Sequence, residues 1–162
     1  MKDTDYMRLA LDLARRGCGW TSPNPMVGAV IVRDGRVIGQ GWHTRYGALH
    51  AEREALKNCT ESPRGAAMYV TLEPCPMCAG AIINSRLRRV VYGAADTKAG
   101  CCGSVTDLFA LPFNHHPVVE KGLCAQQAQE LLQEFFVSLR SRRAARPRWK
   151  PPVSPEGNMK KS

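Results

Sequence analysis

Residues 27–32 and 37–42 are two short apolar runs rich in β-branched side chains, joined by Arg33-Asp34-Gly35-Arg36. An Asp-Gly turn between such runs is a strong hairpin signal, because its backbone twist matches that of the flanking strands. What surrounds this hairpin restricts the chain to one layered class. Ahead of it, residues 5–17 carry Tyr6, Leu9, Ala10, Leu13 and Ala14 at helical spacing, with Asp3, Thr4 or Asp5 as cap and Gly17 and Gly19 as stop. Ser22-Pro23-Asn24-Pro25 then forces a turn. Behind the hairpin, helices are predicted over 50–58 and 75–85 and strands over 68–72 and 90–93. A short strand at 118–120 and a long helix at 125–143 follow, the helix carrying Ala128, Leu131, Leu132, Phe135, Phe136 and Leu139 on one face. A helix, a hairpin, and then strands alternating with helices make an α/β architecture with a mixed sheet. The Gly-rich stretch 94–116 is long enough to read as a functional loop.

The chain has 162 residues, enough for one domain, read as 1–143 with a basic, Pro-rich and disordered tail over 144–162. Its formal charge is +9, and residues 140–162 hold eight basic side chains against Glu156 alone. A near-neutral body with a basic end suits a polyanion such as nucleic acid, the plainer alternative being a solubilising tail. Seven cysteines is an odd number, and the N-terminus has acidic residues ahead of its apolar positions rather than a secretory leader. A reducing, cytoplasmic setting is therefore expected, with the cysteines as metal ligands or buried thiols. No run approaches the ~18 apolar residues of a membrane span.

Two strings carry chemistry: His50-Ala51-Glu52 and Pro74-Cys75-Pro76-Met77-Cys78, each opening a predicted helix. One imidazole and two thiolates form a soft ligand set suited to tetrahedral zinc. Three protein ligands leave a place for water, whose pKa zinc lowers from ~15.7 to ~7. Glu52 can lean over that position as a proton shuttle. The competing reading is a closed structural site completed by Cys59, Cys101 or Cys102; the Cys101-Cys102 pair itself reads either as a second metal site or as small residues filling a tight loop. The H-x-E…P-C-x-x-C order is the signature of zinc-dependent base deaminases.

Residues 70–86, from Val70-Thr71-Leu72-Glu73-Pro74-Cys75 to Ser85-Arg86, resemble bacterial tRNA-specific adenosine deaminases, members of the cytidine deaminase-like superfamily. So do Val90–Gly100, Gly103-Ser104 and Phe113-Asn114-His115, and the resemblance spans about 69–143. It implies a three-layer α-β-α sandwich with a mixed five-stranded sheet, a homodimer, one Zn²⁺ per subunit, and conversion of the tRNA anticodon wobble adenosine to inosine. The tRNA anticodon stem-loop would be the partner, met by Asp96, Asn114 and His115, with Ala51 also touching substrate; the alternatives are that Asp96 caps a turn or helix and that Asn114 and His115 satisfy loop backbone. Arg86, Arg88 and Arg89 would grip phosphates or be solvated, and Trp149 would stack on a base or be a stray aromatic.

The first half differs. Ser22-Pro23-Asn24-Pro25-Met26-Val27-Gly28, Gly41-Trp42-His43 and Gly47–Glu52 resemble the deaminase domain of the riboflavin pathway. That resemblance implies that Asn24 and His43 hold a ribosylaminopyrimidine phosphate, although that family spaces its cysteines further apart than Cys75 and Cys78. The leading expectation is tRNA wobble deamination. The alternatives are deamination of the free pyrimidine phosphate, a hybrid or engineered nucleobase deaminase acting on single-stranded nucleic acid, and a zinc-stabilised RNA-binding module without activity.

Overall fold

Asp34 and Gly35 both adopt positive φ, 49° and 73°. This is the mirror-image turn that two-residue hairpins favour, and only residues tolerant of left-handed backbone take it readily. It joins β1 (Gly28–Arg33) to β2 (Arg36–Trp42) in antiparallel register. The computed structural model describes residues 1–147; the expectations for Trp149 and for 148–162 lie outside the described residues.

Strands β3 (Ala67–Leu72), β4 (Arg89–Ala94) and β5 (Val118–Lys121) complete a five-stranded sheet of order β2-β1-β3-β4-β5. β1 pairs antiparallel with β2 and β3, while β3–β4 and β4–β5 are parallel. The sheet is therefore mixed, as expected. Alternate residues of the central strands face opposite ways, and both faces are covered. Val30, Tyr69 and Val91 meet α1 (Asp3–Arg15) and α4 (Ala125–Ala145) through Met7, Leu11, Leu131 and Phe135. Ile31, Met68, Val70 and Val90 meet α2 (Ala51–Lys57) and α3 (Pro76–Asn84) through Ala55, Ala79 and Ile82. The three-layer α-β-α sandwich follows.

Two glycines fix how closely α2 lies on the sheet. A Cβ at Gly39 would stand 2.5 Å from Ala55 O, and one at Gly41 would stand 2.5 Å from Ala55 N. The backbone of α2 rests directly on β2, which sets the height of the helix start that carries His50 and Glu52. Helix α4 runs two residues beyond the expected end, because Ala144 and Ala145 are good helix formers. Arg146, just before Pro147, leaves the helical region at ψ 131°. Phe136 is 37% exposed while Phe135 is buried, correcting the expectation that both fill the core. Adjacent helical residues point about 100° apart, so only one can face the sheet.

Of the three arginines at β4, two have protein partners. Arg86 donates to Asn114 Oδ1 at 2.6 Å. Arg89 clamps Asp3 at 2.6 Å and Glu120 at 2.7 Å and donates to the Tyr69 hydroxyl at 3.0 Å, tying α1 to β3, β4 and β5. Its hydrogen bonds hold both carboxyls below their ordinary range. A depressed carboxyl pKa stabilises the fold fully above the unfolded pKa, and the contribution is lost as pH falls through the folded value. Arg89→Ala should thus cost about 1 kcal/mol at pH 7, or roughly 2–4 °C in melting temperature. Melts at pH 3 should show a smaller gap between variant and wild type; an equal gap at both pH values would assign the loss to packing.

Candidate active site

Both chemical strings sit where the chain enters a helix after β2 and after β3, strands that run the same way, so both lie at one end of the sheet. His50 is the N-cap of α2 and Cys75 the N-cap of α3, both with extended backbone, and Pro76 starts α3 with its fixed φ. Cys78 lies in the first turn of α3, fully buried. Two helix N-termini thus point positive partial charge at the thiols.

His50 Nδ1 is 3.6 Å from Cys75 Sγ and 3.6 Å from Cys78 Sγ. Zn–S near 2.3 Å and Zn–N near 2.0–2.1 Å at tetrahedral angles require a separation of about 3.6 Å. The donor set and its spacing therefore fit zinc. Among the described residues no fourth His, Cys or carboxylate joins these three. The Cys59 thiol instead donates to Ala55 O and the Cys101 thiol to Ala99 O, while Cys102 packs into the α2–α3 face of the core. Neither a closed zinc site nor a second metal at Cys101-Cys102 is built there.

Protons are shared within the trio. The Cys78 thiol donates to Cys75 and, with help from His50, brings the Cys75 thiol down to about 4 against the effect of burial. Cys78 itself is pushed up by giving that bond and by burial. The bond with Cys75 raises His50. Glu52 is 4% exposed, and burial lifts its carboxyl to about 7, with the neighbouring Cys75 charge adding to the effect.

A cavity of about 190 Å³ opens over this cluster. It gathers Asn24, His43, His50, Ala51, Glu52, Cys75 and Asp96 from the predicted set, and adds Pro25, Val27, Leu72, Glu73 and Ala99. His43 is 3% exposed, and its Nδ1 lies 3.0 Å from Leu49 O. A carbonyl only accepts, so Nδ1 carries the proton and Nε2 is left as acceptor. Asn24 Nδ2 donates to it at 3.4 Å. Asp96 lines the cavity while its carboxylate caps its own turn, accepting from the N–H groups of Lys98 at 2.9 Å and Ala99 at 3.1 Å.

Asn114 and His115 are not brought to the cavity. Asn114 accepts from Arg86, and His115 Nε2 lies 2.6 Å from Leu87 O, so both pin the loop before β5 to the turn after α3. A loop polar residue that satisfies backbone looks the same in sequence as one that meets a ligand. Glu73 is a cavity residue outside the sequence-expected set, and the signal for it is its place between β3 and Pro74-Cys75.

The chain matches the family model for the cytidine and deoxycytidylate deaminase zinc-binding region over residues 1–94. It is 40% identical over 147 residues to the riboflavin biosynthesis protein RibD of Aquifex aeolicus, matching 87% of this chain but 40% of that protein. It is 37% identical over 148 residues to the diaminohydroxyphosphoribosylamino-pyrimidine deaminase of Buchnera aphidicola, matching 87% of this chain and 98% of that one. Among solved structures, the Thermotoga maritima diaminohydroxyphosphoribosylaminopyrimidine deaminase/reductase superposes with a TM-score of 0.72 at 33% identity, covering 86% of this chain and 42% of that chain. A tRNA:A34 deaminase superposes with a TM-score of 0.68 at 41% identity, covering 80% of this chain and 99% of that one. The chain thus spans about 40% of the length of the longer riboflavin-pathway proteins it matches. These relatives overturn the leading expectation of tRNA wobble deamination. The curated relatives named above are a riboflavin biosynthesis protein and a diaminohydroxyphosphoribosylamino-pyrimidine deaminase, and each is matched over 87% of this chain.

Proposed function

This chain belongs to the cytidine and deoxycytidylate deaminase zinc-binding family, and on that premise we propose that it hydrolytically deaminates a free diaminohydroxy-phosphoribosylaminopyrimidine. The observation that carries the reading is the Asn24–His43 pair, which lines the same cavity as His50, Glu52 and Cys75. His43, bonded to Leu49 O on one side and to Asn24 on the other, holds the Asn24 amide in place, and that amide has its oxygen and its second N–H left to offer directed hydrogen bonds to a polar heterocycle or its ribose.

His50, Cys75 and Cys78 would hold a zinc ion, and the chemistry it would supply when bound is a water with its pKa lowered to about 7. Glu52 takes the first proton of the attacking water and places it on the ring nitrogen next to the amino-bearing carbon. It then carries the second proton to the exocyclic amine, which leaves as ammonia while the carbon becomes a carbonyl. A carboxyl poised near 7 suits both the accepting and the donating step at neutral pH. Ala51, between His50 and Glu52, forms cavity wall with only a methyl group as side chain, leaving room for the ring.

We further propose that the working form is a homodimer, as the family resemblance implies, and that it works in a reducing compartment, a setting suited to its seven free thiols. No helix among the described residues is long and apolar enough to cross a membrane.

The test is ammonia release, with mass spectrometry of the product, from the free pyrimidine phosphate and from an anticodon stem-loop in parallel. Ammonia from the pyrimidine alone supports the reading; inosine in the stem-loop with none from the pyrimidine defeats it. Within the pyrimidine assay, Asn24→Ala should raise KM about tenfold, the worth of one hydrogen bond near 1.4 kcal/mol, and leave kcat within about threefold. An unchanged KM would remove Asn24 from the binding site.

A further inference from the structure

Glu73 follows β3 directly and stands two residues before the ligand Cys75. Its backbone N–H donates to Ala94 O at 2.9 Å, closing the β3–β4 pairing. Its side chain is 2% exposed and forms no ion pair among the described residues. The carboxylate instead accepts from the backbone N–H groups of Asp96 at 3.0 Å, Cys102 at 2.9 Å and Ser104 at 3.0 Å, and from the Ser104 hydroxyl. Converging backbone N–H groups form the kind of concavity that binds anions, and here the anion is part of the chain. The neighbouring Pro74 carbonyl accepts from Cys101 N at 2.9 Å, so the 96–104 loop is wound around the 73–74 peptide. Gly100 lies against the carboxylate so tightly that a Cβ there would strike it. Asp96 and Ala99, at the start of this loop, form cavity wall beside Glu73 itself.

We propose that Glu73 is a positioning residue: it fixes the 96–104 loop as the substrate-facing wall of the cavity and sets that wall at a constant distance from the metal ligand Cys75. The inference rests on the deaminase reading of this site. Glu73's side chain hydrogen-bonds to the 96–104 loop and not to the metal ligands, so its loss should weaken substrate binding more than chemistry. Glutamine keeps one acceptor oxygen but turns an NH₂ group toward N–H donors, which breaks the cradle without changing its size.

The experiment uses the full zinc-loaded chain as wild type, Glu73→Gln, Ser104→Ala and Gly100→Ala. In Glu73→Gln, KM for the pyrimidine phosphate should rise roughly 10- to 100-fold with kcat within about threefold, the scale of a wall displaced by about 1 Å. Zinc content should remain that of the wild type, and hydrogen exchange at the amides of Asp96, Cys102 and Ser104 should lose protection. Gly100→Ala should reproduce this from the other side of the contact. Ser104→Ala should move KM the same way but less, and it serves if Glu73→Gln does not fold. An unchanged KM in these variants, or a fall in kcat with zinc lost and KM unaltered, overturns the proposal. If the wild type neither binds nor deaminates the pyrimidine, the functional reading fails on that control. Unchanged exchange at the three amides in Glu73→Gln would still overturn the positioning role.

Discussion

Replacing Glu52 by glutamine should reduce ammonia release by at least 10²- to 10⁴-fold while zinc content stays that of the wild type, because the proton shuttle is lost and the three ligands are untouched. The same change should make the metal-free protein more stable. Burial lifts the Glu52 carboxyl from its ordinary value to about 7. A raised carboxyl pKa means the folded state holds a proton that the unfolded state gives up, so stability falls as pH rises from the unfolded pKa through the folded one. Above pH 7 the buried charge costs the metal-free wild type up to about 3 kcal/mol, a penalty an isosteric amide does not carry. Metal-free Glu52→Gln should therefore melt above metal-free wild type at pH 8, and the two should converge near pH 4.5. Melting curves at both pH values, with ammonia release at pH 7, check the pair of statements. Retained turnover would remove Glu52 from the mechanism. Equal melting at pH 8 would show that its carboxyl is solvated.

How much of this site the sequence discloses depends on how local each part is. The hairpin, both helix starts and all three ligands are legible because each is written in a few adjacent residues: Asp34-Gly35 for the turn, His50-Ala51-Glu52 and Cys75–Cys78 for the chemistry. Substrate choice is not written that way. The spacing of Cys75 and Cys78 reports a metal, and the dense resemblance of the second half draws attention to Asn114 and His115. Those two residues turn out to hold backbone and arginine in place. Asn24 and His43 come from loops on either side of the hairpin and meet only because β1 and β2 pair with Gly28 opposite Trp42. Glu73 is legible as a buried position beside a ligand. Its partners at 96, 102 and 104 lie 23 to 31 residues away, and apart from the Ser104 hydroxyl they are backbone groups, which leave no mark on the side-chain pattern.

Cys78→Ala should empty the site: zinc per chain should fall close to zero and ammonia release to background, a loss of at least 10³-fold. Cys78 is the decisive ligand to remove because it is the fully buried one and the proton donor within the trio. In the metal-free protein Cys75 is already poised as a thiolate near 4, so the proton that a metal must displace at neutral pH sits chiefly on Cys78, with His50 also drawn toward its charged form. Zinc uptake by the wild type should accordingly release protons, and apparent affinity should weaken by up to about tenfold per unit as pH falls below 7. Calorimetry in buffers of different ionisation heat measures that release directly. Cys78→Ala should take up no zinc in the same titration, and its melting temperature should match that of chelator-treated wild type, since Ile82, Met68 and Val90 build the core beneath α3 without the metal. A Cys78→Ala chain that holds its zinc would mean that the ion is bound elsewhere. One that loses zinc yet still releases ammonia would separate the metal from the chemistry.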